Sequence, residues 1–225
     1  MNLCPDLSKD PLPWIFLCLI AQELATNFGA VGKQAADCAV LQFDAYLRPH
    51  VATELCDFNV MEPPSNTSRQ YQQWGLLLSP SDRVGTTKTG ARDDSVLLGC
   101  NPARAFVQQV RARLLRDCRR RGGGALFPLL NLNSYEHVIS QASAKVGFTK
   151  LRVTPHLFRH GGASTDRFEN SLSLEEIMKR GQWKALSSVM RYEKHARLLK
   201  VLNSVTPALR AAATTAAKGL ATLMT

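Results

Sequence analysis

The sequence has no long hydrophobic run. Its apolar stretch at residues 14–21 is only eight residues long and ends at Gln22-Glu23, whereas a membrane-spanning helix needs about 20 consecutive apolar residues. The N-terminus also lacks a basic segment followed by an apolar core and a small-residue cleavage site, so the sequence predicts no signal peptide. Both absences favour an intracellular protein that does not act at a membrane.

Cysteine motifs typical of metal sites or redox sites are also missing. The six cysteines lie at positions 4, 18, 38, 56, 100 and 118. None forms a C-x-x-C pair or lies near a histidine at zinc-ligand spacing. The sequence therefore predicts no metal and no cofactor, and the cysteines are expected to be small buried side chains in a reducing compartment.

Acidic side chains are scarce relative to basic ones. The 225 residues include 28 Lys and Arg but only 18 Asp and Glu, which gives a formal charge of +10. A basic excess of this size favours a polyanionic partner, nucleic acid before membrane, although a merely soluble basic protein is the alternative. With 45% hydrophobic residues, the chain is expected to fold as one substantial domain.

The hydrophobic pattern predicts a mainly α fold (α+β) with a small antiparallel sheet. Residues 1–10 are expected to be loose, and Tyr46, Tyr71 and Tyr135 are expected to be packing residues. The Ala/Thr-rich tail at 207–225 is either a weak helix or disordered. Helices are predicted at 11–28, 34–47, 103–121, 133–146, 174–180 and 189–205, and strands at 74–78 and 95–98.

The segment TPHLFRHGGAS, residues 154–164, carries the strongest local signal. Thr154 and Pro155 are typical of a helix start, and small residues further along allow close packing. His156 and Arg159 are three residues apart, so they share a helix face. An arginine fork beside an imidazole indicates a phosphate or carboxylate site. The alternative is a solvated arginine with a core-facing histidine at an ordinary helix start.

A second segment, GQWKALSSVMRYEKH at residues 181–195, follows in the chain. Together the two segments resemble the C-terminal signature of the tyrosine recombinases, the phage-integrase family. The matching residues are His156 and Arg159 in a His-x-x-Arg motif, then Trp183, then Tyr192. Trp183 follows Arg159 by twenty-four residues and precedes Tyr192 by nine, as in the branch of the family that has Trp in place of His.

Two further basic residues match the family. Residues 43–49, FDAYLRP, resemble the helix end that carries its first catalytic arginine, here Arg48, and residues 86–90, TTKTG, resemble the hairpin that carries its lysine, here Lys88. The family usually has an acid three residues after the arginine, and this chain has Val51. Without the resemblance, Arg48 is a cationic helix end favoured by the macrodipole, and Lys88 is a solvated turn residue.

The resemblance implies DNA strand cleavage and rejoining without a metal, as in site-specific recombination or integration by a mobile element. Tyr192 would attack the scissile phosphate and form a 3′-phosphotyrosine. Arg48 and Arg159 would hold the non-bridging oxygens, and Lys88 would protonate the leaving 5′-oxygen. The partner would be double-stranded DNA, bound by a homo-oligomer.

The remaining site residues have supporting roles by the same resemblance. His156 would accept the tyrosine proton or hold the phosphate, and Trp183 would donate its indole N–H to a phosphate oxygen. His160 is expected to support the site rather than act in catalysis.

The domain implied is a helical catalytic domain at residues 1–206, without the N-terminal helical domain that closes around DNA in complete recombinases. The tail at 207–225 would dock on a neighbouring protomer if it is helical. One helix face is basic, and it is a candidate DNA-binding surface or simply a solvated face. Its residues are Arg111, Arg113, Arg116, Arg119, Arg120 and Arg121.

Three alternative functions follow from the same residues. Val51 and the missing N-terminal domain favour a DNA-binding remnant of an integrase that no longer cuts. A type IB topoisomerase shares the chemistry, but the spacing of Trp183 and Tyr192 favours an integrase. A histidine phosphatase would match Arg159-His160-Gly161 but requires another arginine shortly after the glycine, where this chain has Gly162-Ala163-Ser164.

Overall fold

The computed structural model describes residues 10–68, 72–78, 94–149, 151–169, 171–190 and 195–225. Within these ranges the protein is mainly helical with a small antiparallel sheet, which confirms the predicted fold class. The helices are α1 (Trp14–Asn27), α2 (Gly29–Ala45), α3 (Pro49–Thr53), α4 (Val107–Arg120), α5 (Leu132–Lys145), α6 (Pro155–Phe168), α7 (Leu174–Arg180), α8 (Leu186–Met190), α9 (His195–Asn203) and α10 (Pro207–Met224). The strands are β1 (Val60–Met61), β2 (Gly75–Leu78) and β3 (Asp94–Leu97).

The sheet has the strand order β1-β2-β3, and both strand pairs are antiparallel. Leu76 pairs with Val60 on one side and with Val96 on the other, and all three side chains are buried. The two predicted strands are therefore present, with bounds shifted by one residue. The predicted hairpin turn between these strands, with Lys88, falls within residues 79–93, which lie outside the described residues.

Helix α2 lies at the centre of the fold. It contacts α1, α4, α5 and α6, and every residue from Ala35 to Ala45 is buried. A helix that is buried all round needs apolar or internally paired side chains on every face. Gln42 meets this requirement because its amide donates to the Pro155 carbonyl oxygen at 2.9 Å and accepts from the Tyr135 hydroxyl at 2.9 Å.

The end of α2 differs slightly from the predicted helix end at residue 47. The helix ends at Tyr46, which has a left-handed backbone (φ 51°) and donates its N–H to the Gln42 carbonyl. Pro49 then forms the first turn of α3, a helix that was not predicted. Proline suits a first helical turn, where its missing N–H would have no helical partner. Arg48 therefore lies at the junction of two helices.

Two glycines bring α6 against α2. A Cβ atom at Gly161 would lie 2.2 Å from the Leu12 carbonyl oxygen, and one at Gly162 would lie 2.0 Å from the Phe43 carbonyl oxygen. Any side chain larger than hydrogen would push the helices apart. The predicted close packing after the His-x-x-Arg motif is therefore confirmed.

The C-terminal tail forms α10, which packs against α1 of its own chain. Ala213, Ala216, Leu220 and Met224 are buried, so of the two alternatives for the tail the helix is confirmed and disorder is wrong. The helix predicted at 189–205 corresponds to α8 and α9, and residues 191–194 between them lie outside the described ranges.

The structure also bears on two predictions from composition, the burial of the cysteines and the absence of a membrane span. Cys18, Cys38 and Cys118 are buried free thiols, as predicted, whereas Cys56 and Cys100 are partly exposed. No helix in the described ranges has the length and apolar character needed to cross a bilayer.

Candidate functional site

Two of the predicted site arginines line one small cavity at the C-terminal end of α2. Arg48 comes from the start of α3 and Arg159 from the middle of α6. The other lining residues are Ala45, Tyr46, Leu47, Val51, Leu78, Arg180 and Gln182. Lys88 and Tyr192 lie outside the described residues, although Leu78 is the last described residue before the segment that contains Lys88.

Arg159 is held firmly in this arrangement. Its side chain is buried, with Nη1 donating to the Tyr46 carbonyl oxygen and Nη2 to the Gly181 carbonyl oxygen, each at 2.5 Å. Both carbonyls lie at helix C-termini, where backbone oxygens lack helical partners and carry partial negative charge. The guanidinium is therefore fixed before any ligand arrives, and the alternative of a solvated arginine is wrong.

Trp183 covers Arg159 on one side. The Arg159 guanidinium carbon lies 4.6 Å from the Trp183 ring centroid, a cation–π distance. The turn after α7 places the ring, because the Trp183 N–H bonds to the Met178 carbonyl and the Gln182 N–H bonds to Lys179. This pair of bonds is a Schellman motif. A Cβ atom at Gly181 would lie 1.8 Å from the indole, so only glycine leaves room for the ring.

The two histidines lie on α6, one turn apart. His156 is exposed, His160 is partly buried, and their rings meet edge-on with centroids 4.7 Å apart. The alternative of a core-facing His156 is wrong. The supporting role implied for His160 stays a prediction.

Arg48 is less constrained than Arg159. It is partly exposed, and within the described part of the chain no residue forms a hydrogen bond or ion pair with its side chain. Val51, at the position where the resemblance implied an acid, lines the same cavity. No described carboxylate replaces the missing acid as a partner for Arg48.

A buried ionic network lies beside the cavity. Arg104 donates to Asp166 at 2.5 and 2.6 Å and to Asp44 at 3.2 Å, while Arg180 donates to the Asp44 carboxylate at 3.1 Å. All four side chains are nearly inaccessible to solvent. Two carboxylates and two guanidiniums balance in charge, which is the arrangement that makes buried ions tolerable.

Arg180 links this network to the cavity. It donates from Nε and Nη2 to the Asp44 carbonyl oxygen at 2.9 and 2.7 Å, and from Nη1 to the Leu97 carbonyl oxygen. It also lines the cavity with Arg159. The end of α2, the strand β3 and the end of α7 are therefore joined by one side chain.

Tyr46 belongs to the same network. Its ring is fully buried and its hydroxyl donates to Asp166. Burial raises the pKa of Tyr46, and the Asp166 carboxylate raises it further. Although burial opposes ionisation of Asp166, Arg104 holds the pKa of that carboxyl below its usual value. The prediction that Tyr46 is a packing residue is confirmed, and so is that for Tyr135.

This network was not predicted from the sequence, although the sequence carries a signal for it. Charged residues stand at positions that the helical pattern assigns to the core, and such residues indicate buried ion pairs. Asp44 stands between Phe43 and Ala45, and Asp166 follows the small residues of α6. An isolated acid on an apolar helix face predicts a buried partner of opposite charge.

The predicted basic face of α4 divides into separate environments. The prediction that Arg111 belongs to a DNA-binding or solvated face is wrong. Its side chain is fully buried, and its guanidinium carbon lies 3.2 Å from the Trp74 ring centroid. Arg113 pairs with Asp37 at 2.6 Å and bonds to the Met224 carbonyl. Exposed side chains remain only toward the C-terminal end, at Arg116, Arg119, Arg120 and Arg121.

Comparison with known proteins adds no family assignment. No protein-family model matches the chain, and no curated protein matches it significantly. Across the ranges that the structure describes, no group of three or more His, Cys, Asp or Glu side chains is placed to hold a metal ion.

Proposed function

We propose that the protein cuts and rejoins DNA as a tyrosine recombinase, with Tyr192 as the nucleophile. The observation that carries the proposal is the meeting of Arg48 and Arg159 at one cavity, with Trp183 against Arg159. Motif resemblance alone predicted that these residues would converge. Two arginines at one cavity suit the two non-bridging oxygens of a phosphodiester.

The proposed reaction needs no external energy source. The Tyr192 oxygen attacks phosphorus and its proton passes to His156, while the bond from phosphorus to the 5′-oxygen breaks and Lys88 protonates that oxygen. The energy of the broken bond is kept in the phosphotyrosine, so a 5′-hydroxyl can reverse the step. Arg159, fixed by the Tyr46 and Gly181 carbonyls, would stabilise the phosphorane charge without having to reorganise.

Charge supports DNA as the substrate. The chain has a formal charge of +10, and exposed arginines are clustered at the end of α4. Side chains of this kind neutralise phosphates and make binding dependent on salt. Double-stranded DNA bound by a homo-oligomer is therefore the proposed complex.

A second candidate is a DNA-binding protein that does not cut. The lack of any described partner for Arg48, together with Val51 in place of an acid, favours it. A loosely held Arg48 would contribute less to transition-state stabilisation, since misplacement of a catalytic group by about 1 Å can lower a rate by about 100-fold.

A suicide duplex separates the two candidates. The DNA is a pool of random sequences with a nick that lets the cleaved end diffuse away and traps the covalent intermediate. Wild type, Tyr192→Phe and the matched control Tyr71→Phe are compared on a denaturing gel. A covalent band in wild type and in Tyr71→Phe, absent from Tyr192→Phe, is the expected result.

The other outcomes are equally informative. DNA binding without a covalent band in any of the three proteins favours the second candidate. A band that survives in Tyr192→Phe contradicts the assignment of the nucleophile.

A further inference from the structure

The turn that carries Trp183 has an unusual residue at its centre. Gln182 has a left-handed backbone with φ 55°, at the position of a Schellman turn where glycine is the usual residue. A glutamine in this conformation is strained, because its Cβ crowds the backbone. The turn itself would be better served by glycine, so the glutamine side chain needs another explanation.

Gln182 lines the same cavity as Arg48 and Arg159. Its Nε2 atom is buried and has no hydrogen-bond partner among the described residues. A buried amide donor without an acceptor is unfavourable, and native proteins rarely leave one unsatisfied. Three arginines, Arg48, Arg159 and Arg180, line the same cavity. Cationic side chains and an unsatisfied donor at one cavity together fit an anionic oxygen.

We propose that Gln182 is a third phosphate-binding residue of this site, donating from Nε2 to a non-bridging oxygen held between Arg48 and Arg159. The cavity volume of about 10 Å³ is room for roughly one water-sized atom. One phosphate oxygen therefore fits inside while the rest of the group lies at the mouth beside Arg48. The inference rests on the proposed function and names an additional contact at the same site.

The backbone conformation makes a decisive variant available. Gln182→Gly removes the amide and also removes the left-handed strain, so the protein is expected to fold and to melt at a higher temperature. A purely structural role predicts that this variant is better in stability and unchanged in binding. The proposed phosphate-binding role also predicts higher stability for Gln182→Gly, but it predicts weaker phosphate binding.

The probe is inorganic phosphate, titrated against sodium chloride of equal ionic strength. The side-chain amide signal of Gln182 is followed in ¹H–¹⁵N spectra and assigned by its absence from Gln182→Gly. The expected result is a saturable shift of this signal with phosphate and about a tenfold or larger loss of phosphate affinity in Gln182→Gly, as for a hydrogen bond to a charged group.

The control is Asn66→Gly. Asn66 is exposed and also has a left-handed backbone, with φ 61°, but it does not line the cavity. This variant is expected to gain stability for the same reason as Gln182→Gly and to keep the wild-type phosphate affinity.

Failure of this inference is distinguishable from failure of the proposed function. Unchanged phosphate affinity in Gln182→Gly, or no phosphate binding by the wild type, overturns the role of Gln182 whether or not DNA is cleaved. Weaker phosphate binding in Gln182→Gly supports the role even if no covalent adduct forms on Tyr192, in which case the site binds phosphate without cutting DNA.

Discussion

Substitution of Gly162 tests how closely α6 must approach α2. The Cβ of an alanine at this position would lie 2.0 Å from the Phe43 carbonyl oxygen and 2.8 Å from the Tyr46 ring. Contacts of this kind need at least about 3 Å, so α6 must move by roughly 1 Å. Overpacking of a core by one methyl group costs about 1–3 kcal/mol, and we expect Gly162→Ala to lose stability in that range.

The same movement affects the site, because Arg159 lies on α6 and donates to the Tyr46 carbonyl oxygen at 2.5 Å. A displacement of about 1 Å would stretch this bond and turn the guanidinium away from the cavity. If the proposed DNA cleavage occurs, its rate in Gly162→Ala should fall by about 100-fold.

The matched control is Gly219→Ala in α10. Gly219 is exposed inside the helix, and a Cβ there meets nothing within 4 Å. Alanine is favoured over glycine in a helix interior by about 0.5–1 kcal/mol, so this variant should gain stability. Urea unfolding followed by circular dichroism measures both changes. Equal or higher stability in Gly162→Ala would refute the packing argument.

Three other predictions concern buried charges, each measured by urea unfolding. Asp166→Asn should lose about 3 kcal/mol, because it leaves the buried Arg104 guanidinium with excess positive charge; a loss below about 1 kcal/mol would contradict this. Burial raises the pKa of Asp37 to about 6. The folded state therefore loses stability as the pH rises from about 4 to 6. The stability of wild type relative to Asp37→Asn should fall by about 2 kcal/mol between pH 4.5 and 7.5. A stability difference that stays constant over this range would exclude the raised pKa of Asp37. Arg111→Met should gain about 1 kcal/mol in the free energy of unfolding, because burial lowers the pKa of Arg111 and two of its nitrogens have no hydrogen-bond partner among the described residues. A lower free energy of unfolding would mean that stacking on Trp74 outweighs the cost of the buried charge.

Helix positions were predictable wherever local signals agreed. The bounds of α7 match the predicted 174–180 because Ser173 caps its start with a reciprocal bond to Glu176 and Gly181 ends it. The start of α2 was predicted five residues too late, at 34 instead of Gly29. Gly29 directly follows the C-cap of α1, but it also begins α2. Gly32 lies inside α2, where a Cβ would lie 2.3 Å from the Leu24 carbonyl oxygen, so this glycine serves helix packing.

Part of the site followed from the sequence and part did not. Arg48 and Arg159 were expected to meet, and they line one cavity. The network of Asp44 and Asp166 was missed because its contacts join residues far apart in the chain, which spacing alone cannot pair. Arg111 was predicted on the exposed basic face, but it lies on the same buried face of α4 as Leu114. At this position the helical spacing, and not the charge, predicts burial.

Mass spectrometry of the trapped intermediate shows which residue forms the proposed covalent bond to DNA. Trypsin cuts after Arg191 and after Lys194, which releases the peptide Tyr192-Glu193-Lys194. After nuclease digestion of the DNA, we expect this tripeptide to carry a 3′-linked nucleotide through the tyrosine oxygen. A nucleotide on any other peptide, or an unmodified tripeptide from a sample that shows a covalent band, would contradict it.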